Sequence, residues 1–352
     1  MQAPSIRPGG HLPSTDGDIN LYINAEAQAQ PWFQANRRVI FVNGMDNTPQ
    51  DHVESATALS LLQGCPVVGV FNKSDGKWAD LGQCVADKVR MMPVQAGGDR
   101  NSFEGWAMAT EALYQLARRA APMVQKTDFV ASMIDGNAAA LAVYGLLAGA
   151  GGLNPLRTPV YCHSQGNLIT SNALTAVALA LGPASIAGME VNSFGSPCRF
   201  WPPGIRRTNN AFTFDPITWL DLSADMSSSK VGFVAGHGFK LYMQKDAEFV
   251  VNRFRFGAFG TTMDMDEEGL AKFLVSLGPN PQRLRPIFER LRDMHQTDSD
   301  DVALAYVQAA PKPVLQALKR ADPGVIKLLI DLLKSGWTAD DEKRAIAVLE
   351  GL

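Results

Sequence analysis

The chain lacks the marks of several protein classes. Its four cysteines, Cys65, Cys84, Cys162 and Cys198, form neither a C-x-x-C pair nor a Cys/His metal spacing. That argues against a disulfide framework or a zinc site and leaves reduced thiols as the expectation. The opening "MQAPSIRPGGHLPSTDGD" has no basic start followed by an apolar run, so no secretory signal is read and folding in the cytoplasm is expected. The most apolar window, residues 138–153 (AAALAVYGLLAGAGGL), is rich in glycine and shorter than the roughly 18 to 20 residues a membrane-spanning helix needs. It reads as a buried helix ending in a flexible loop; the sharper alternative is an apolar lid or lipid-touching element. Basic and acidic residues nearly balance, 32 against 35, which removes any chain-wide electrostatic case for nucleic acid or an anionic membrane.

What is present has a clear order. A length of 352 residues exceeds the size at which one core stops growing, so one large domain and a smaller one are expected. Short buried strands are read in "RRVIFVNGMDN", "CPVVGVFNKSDG", residues 158–162, "GMEVNSFGSP" and "NNAFTFDP". Helical spacing separates them in "DHVESATALSLLQG", "KWADLGQCVADKVRMM", "FEGWAMATEALYQLARRAA" and residues 168–181. Strands alternating with helices imply parallel crossovers and a sheet covered on both faces. After about Thr261 only amphipathic helices follow, from "DEEGLAKFLVSLG" to "TADDEKRAIAVLEGL", with Pro281 and Pro323 at helix starts. The expected division is 1–260 and 261–352.

Within this order, "TPVYCHSQGNLIT" places Ser164 between a strand and a helix. That is the context of a nucleophile elbow, a turn so sharp that only small neighbours fit. The plainer reading is a serine capping its helix. A nucleophilic serine needs a base and an orienting carboxylate, and five histidines allow elimination. His11 lies in a Pro/Gly-rich leader, His52 on what reads as a surface helix, and His295 in the helical tail. His163 adjoins the serine and would point away from a tight turn. His237, in the loop "VAGHGFKLYM", remains, with a solvated loop histidine as its plainer reading. Between Ser164 and His237 the carboxylates are Glu190, Asp215, Asp221 and Asp225. Asp215 follows "AFTF" at a strand's carboxyl end, where sites of open parallel sheets collect. The oxyanion donors expected are the N–H groups of Gln165 and of Met45 in "FVNGMDN", although Gly44-Met45 reads equally well as a plain turn.

These residues resemble the α/β-hydrolase superfamily and, within it, the class 3 lipases. The similarity rests on "VYCHSQGN", "VNSFGSP", "FTFDPIT" and "GHGFKLY" and covers roughly residues 38–243. It implies an α/β-hydrolase-like, mostly parallel sheet flanked by helices; the smaller all-helical domain that follows is read from the amphipathic spacing after about Thr261. It also implies Ser164 as nucleophile, Asp215 as orienting acid and His237 as base, acting on carboxylic esters with no metal or cofactor. Cys162 stands where the family usually has glycine, and the early loop lacks an HGGG-like run. "NGMDNTPQDH" and "VFNKSDGKWADLGQC" look like a bacterial branch of such proteins.

Partners expected are a small-molecule or lipid ester, no nucleic acid, contact with a membrane surface, and a protein docked on the helical tail. "CRFWPPGIRR" is read as an acyl and headgroup contact near the pocket mouth, or as a rigid loop with solvated arginines. The tail hints at two copies of a helical unit and faintly resembles an annexin-type repeat, but Thr338 and Asp341 explain the same letters as a helix cap without calcium. Two alternatives stand beside the hydrolase: a binding protein of the same shape with a silent serine, and a lipase-type toxin exported without a signal peptide.

Overall fold

Short runs of valine, isoleucine and phenylalanine form the centre of the molecule. β-branched and aromatic side chains fit a pleated surface, and the runs are bounded by Asn-Gly, Gly and Pro, which end strands. A computed structural model describes residues 2–45, 47–73, 100–198, 200–218, 229–232, 234, 236–255, 266–293, 299–335 and 339–352. β1 (Ile19–Tyr22) and α1 (Ala25–Gln28) lead to β2 (Val39–Val42), α2 (Pro49–Gln63) and β3 (Val67–Val70). Helices α3 (Arg100–Ala120), α4 (Lys126–Ala131) and α5 (Ala138–Ala148) precede β4 (Val160–His163), α6 (Gly166–Leu181), β5 (Glu190–Phe194), β6 (Arg206–Phe212) and β7 (Ser229–Val231). Next come α7 (Phe239–Gln244) and α8 (Asp246–Arg255).

The strands form a seven-stranded sheet in the order β1-β3-β2-β4-β5-β6-β7. All neighbours are parallel except β1, which runs antiparallel to β3 at the edge. The fold class is therefore α/β with a mostly parallel sheet. The period-2 alternation of a strand divides the core. Ile40, Val42, Val160, Cys162 and Val191 face a cluster containing Val143, Tyr144 and Leu147 of α5 and Ile169, Ala173 and Val177 of α6. Val39, Phe41, Tyr161, Phe194 and Phe212 face Leu59 of α2, Phe239 and Tyr242 of α7 and Phe249 of α8. Helix α2 is closed at both ends, by a Thr48–Asp51 capping box and by Gly64 in the left-handed region at φ 59°.

From Glu267 onward the described elements are helices: α9 (Glu267–Ser276), α10 (Pro281–Asp293), α11 (Ser299–Ala309), α12 (Lys312–Ala321), α13 (Pro323–Leu333) and α14 (Asp340–Glu350). Their buried residues form one apolar cluster, which also takes in Val250, Val251 and Phe254 of α8. Asn280 ties this group to the first half of the chain by donating to the carbonyl of Leu62 at 3.1 Å.

Several readings are corrected. Strand β4 runs one residue past its expected end, to His163, and α6 begins at Gly166 rather than Leu168, so the turn contains only Ser164 and Gln165. Strand β6 starts at Arg206, before "NNAFTF", and β1 carried no signal that was read. The apolar window is, as read, a buried helix: Val143, Tyr144, Leu146 and Leu147 of α5 are buried, and no described helix is long and apolar enough to cross a membrane. His52 is not on a surface; it is fully buried. The N-cap of α14 is Ala339, with no side-chain capping bond. The helix expected over residues 77–92 lies outside the described residues, as do Cys84, Asp221, Asp225, His295 and Thr338.

Candidate functional site

Because β2 to β7 run parallel, their carboxyl ends share one edge of the sheet, and the loops leaving that edge converge. The loop after β2 carries Gly44 and Met45, the turn after β4 carries Ser164, and the loop after β5 carries Gly195. Asp215 follows β6 and His237 follows β7. Residues far apart in sequence thus meet through strand direction alone.

Ser164 has φ 52°. For an L-residue that left-handed conformation costs roughly 1–2 kcal/mol, and surrounding contacts hold it. Ser164 N–H donates to Phe194 O at 3.0 Å, and Asn167 Nδ2 donates to both Ser164 O and Phe194 O, at 2.9 and 3.1 Å. Asn167 Oδ1 accepts from Cys162 Sγ and Ser193 Oγ at 3.2 and 2.6 Å. Asn167, which the sequence reading passed over, therefore ties the turn to β4 and β5. Its place in "SQGN", second in the helix after Gly166, is the signal that could have found it.

Gly166 is required sterically. A Cβ there would lie 2.4 Å from Val42 O and 2.8 Å from Asn43 O, backbone atoms of a central strand and its exit. Gly166→Ala is expected to lower stability by about 1–3 kcal/mol, the usual cost of overpacking a filled core. A denaturation midpoint equal to that of the parent chain would contradict this close packing.

Asp215 and His237 are in contact. His237 Nδ1 donates to Asp215 Oδ2 at 2.6 Å, Tyr242 Oη donates to the same oxygen at 2.7 Å, and Ile217 N–H reaches Oδ1 at 3.0 Å. Burial by itself would raise the pKa of Asp215. The bond and charge of His237, then the donors Tyr242 and Ile217, outweigh burial and hold the carboxyl below its ordinary value. An ionised Asp215 only accepts, so the proton of a neutral His237 lies on Nδ1 and Nε2 keeps its lone pair. Gly195, at φ 52°, packs against this pair: a Cβ there would come within 2.9 Å of Asp215 Oδ2 and of His237 Cε1.

His163 does point away from the turn, yet it reaches the same loop. Its Nε2–H donates to the backbone carbonyl of His237, and its ring lies 4.7 Å from the His237 ring, centroid to centroid. Burial, with the neighbouring His237 second, lowers its pKa to about 3, so it is neutral and holds the His237 backbone. Ser164 Oγ and His237 Nε2 do not form a hydrogen bond here; Nε2 is buried with no partner among the described residues.

The early loop lies against Ser164. A Cβ on Gly44 would meet Ser164 Cβ at 2.5 Å and Oγ at 3.1 Å. Gly44 O accepts from Asn43 Nδ2 and Asn47 Nδ2 at 2.8 and 3.1 Å. Its peptide plane is thereby fixed, with the Met45 N–H pointing opposite. Gln165 Oε1 accepts from Asn72 Nδ2 at 2.8 Å. Asn43 Oδ1 accepts from Asn72 N–H and from His52 Nδ1, at 2.9 and 2.8 Å, which makes His52 the Nδ1–H tautomer. A buried network thus braces the loops carrying Met45 and Gln165.

Other candidates lie elsewhere. Glu190 opens β5 and Arg206 opens β6, at the amino edge of the sheet, so "CRFWPPGIRR" ends far from the expected pocket mouth. Arg207 stacks over Trp201 at 5.0 Å. No group of three or more His, Cys, Asp or Glu able to hold a metal occurs among the described residues. Comparisons with protein-family models, with curated proteins and with solved structures find no match, so function is read from the geometry of the site itself.

Proposed function

We propose that this chain is a serine hydrolase of the α/β-hydrolase type, cleaving carboxylic esters, lipid esters among them, through an acyl-enzyme. The observation that carries this reading is Ser164, held at φ 52° between β4 and α6, at the same sheet edge as the His237–Asp215 pair. His237 Nε2 takes the proton of Ser164 as Oγ attacks the acyl carbon. Asp215 holds the imidazole in the required tautomer and stabilises the charge it gains. The N–H groups of Gln165 and Met45 receive the developing oxyanion, each donor contributing about 3 kcal/mol. The proton then passes to the leaving alcohol, and water attacks the acyl-enzyme by the same route to release the acid. None of these steps needs a metal or cofactor.

A second reading, a binding protein with a silent serine, draws on one observation: Ser164 and His237 are not hydrogen-bonded. A fluorophosphonate probe separates the two. Covalent labelling of the wild type that disappears in Ser164→Ala is expected. A wild type that stays unlabelled would sink the hydrolase and favour the binder.

A further inference from the structure

One oxygen of Asp215 serves two side-chain donors. His237 Nδ1–H and the Tyr242 hydroxyl both end on Oδ2, at 2.6 and 2.7 Å, while Oδ1 takes the Ile217 N–H at 3.0 Å. Asp215 and Tyr242 are both fully buried. The phenolic proton has one direction open to it. Phe212 N–H donates to Tyr242 Oη at 3.3 Å, and an ionised Asp215 only accepts, so the Tyr242 hydrogen points at Oδ2. Packing holds the ring there: it stacks on Phe212 and Phe249, at 4.0 and 5.7 Å between centroids, and meets Phe194 edge-on at 5.8 Å. Helix α7, which carries Tyr242, begins at Phe239, so one short segment supplies both donors.

Each donor to a carboxylate stabilises its charged form, and bonds to an ionised acceptor are about twice as strong as neutral ones. A second donor on Oδ2 therefore does two things. It helps keep Asp215 ionised among aromatic rings, and it weakens the pull of that oxygen on His237 Nδ1–H. The phenol does this without giving up its own proton, because burial, then the charge of Asp215, push its pKa far above the ordinary value. Among the described residues the titratable groups packed against this carboxylate and phenol are His237 and, on β4, His163. The His163 ring lies 5.9 Å from that of Tyr242 and is kept neutral by burial. The negative charge is thus divided between one imidazole and one phenol.

We propose that Tyr242 is a positioning residue of this site: by occupying Oδ2 it moderates the hold of Asp215 on His237 and sets the pH at which the site becomes active. The kinetic half of the proposal rests on the hydrolase reading; the divided oxygen is tested without turnover. Tyr242→Phe removes one oxygen atom and keeps the ring, and its thermal transition reports its folding. Proton NMR of the full-length chain at pH 7 follows the low-field Nδ1 proton of His237, assigned by its loss in His237→Ala. In Tyr242→Phe that resonance is expected to move downfield, since Oδ2 then serves one side-chain donor. In parallel, kcat/KM for an ester is measured against pH. A less stabilised carboxylate takes up a proton more readily and holds an imidazolium more tightly, and either change removes the base as pH falls. The acidic limb is expected to move to higher pH by about one unit, a roughly tenfold change in the protonation equilibrium. Replacing Tyr242 by 3-fluorotyrosine, whose more acidic phenol donates more strongly, should move both readings the other way and serves equally if Tyr242→Phe does not fold. An unmoved resonance overturns the proposal whether or not the chain is an enzyme. A moved resonance with an unmoved limb, in a chain that hydrolyses esters, overturns the control of activity. A wild type that neither labels with fluorophosphonate nor turns over ester refutes the hydrolase reading and the kinetic half with it, and the NMR comparison alone then decides what Tyr242 does to Asp215.

Discussion

His237→Ala is expected to lower kcat for ester hydrolysis by about 10⁴- to 10⁶-fold with little change in KM, the scale seen when the base of such a triad is removed. The split between the two constants is the informative part. The imidazole takes a proton only as the serine oxygen attacks, so its interaction exists in the transition state and not in the bound substrate. Its loop position is set independently, by the bond from His163 to the His237 carbonyl and by the contact of Gly195 with the ring. Alanine at 237 keeps that carbonyl, so the fold should survive, which circular dichroism checks. Steady-state kinetics showing full kcat in His237→Ala would remove this residue from the mechanism and direct attention to another base.

Acid should destabilise the fold well before the carboxylates titrate. Burial holds His52 and His163 to pKa values of about 3 in the folded state, against an ordinary value near 6.5 when unfolded. A depressed folded value means that the unfolded chain binds the extra proton. The stabilisation is therefore complete above about pH 6.5 and declines as pH falls toward about 3. Each histidine removes roughly 1.4 kcal/mol per pH unit in that window, so the pair removes about 4 kcal/mol by pH 5. That is a large share of the 5–15 kcal/mol typical of a folded protein. The low value of Asp215 acts with the same sign, but over a lower pH range. Urea midpoints at pH 7 and pH 5 measure the loss, and His52→Gln should reduce its pH slope. Equal midpoints at the two pH values would contradict the neutral, buried state of both rings.

How much was legible depended on whether the signal was local. Strands β2 and β3 announced themselves because short apolar runs rich in β-branched residues, VIFV and VVGV, between turn formers have few other uses. The helices after Glu267 were legible from spacing and from Pro281 and Pro323 at helix starts. Misreadings came where tertiary packing overrides a local pattern. His52 sits in a helix with polar neighbours and reads as exposed, yet it is enclosed by the rings of Tyr22, Phe41 and Phe71. His163 was set aside because it points away from the serine. That direction is what brings it to the His237 carbonyl, in a loop 74 residues later.

The sequence by itself determined the alternation of strands and helices, the strand–serine–helix turn, and the small residue that must follow it at 166. Periodicity, turn chemistry and size act over a few neighbouring residues, so they can be read in order along the chain. Tertiary structure alone decided that Asp215 and His237 meet and that Asn167 and Asn43 brace the loops around Ser164. Those outcomes depend on strand order and parallel register, which arise from packing the whole sheet at once and are not encoded in any single segment.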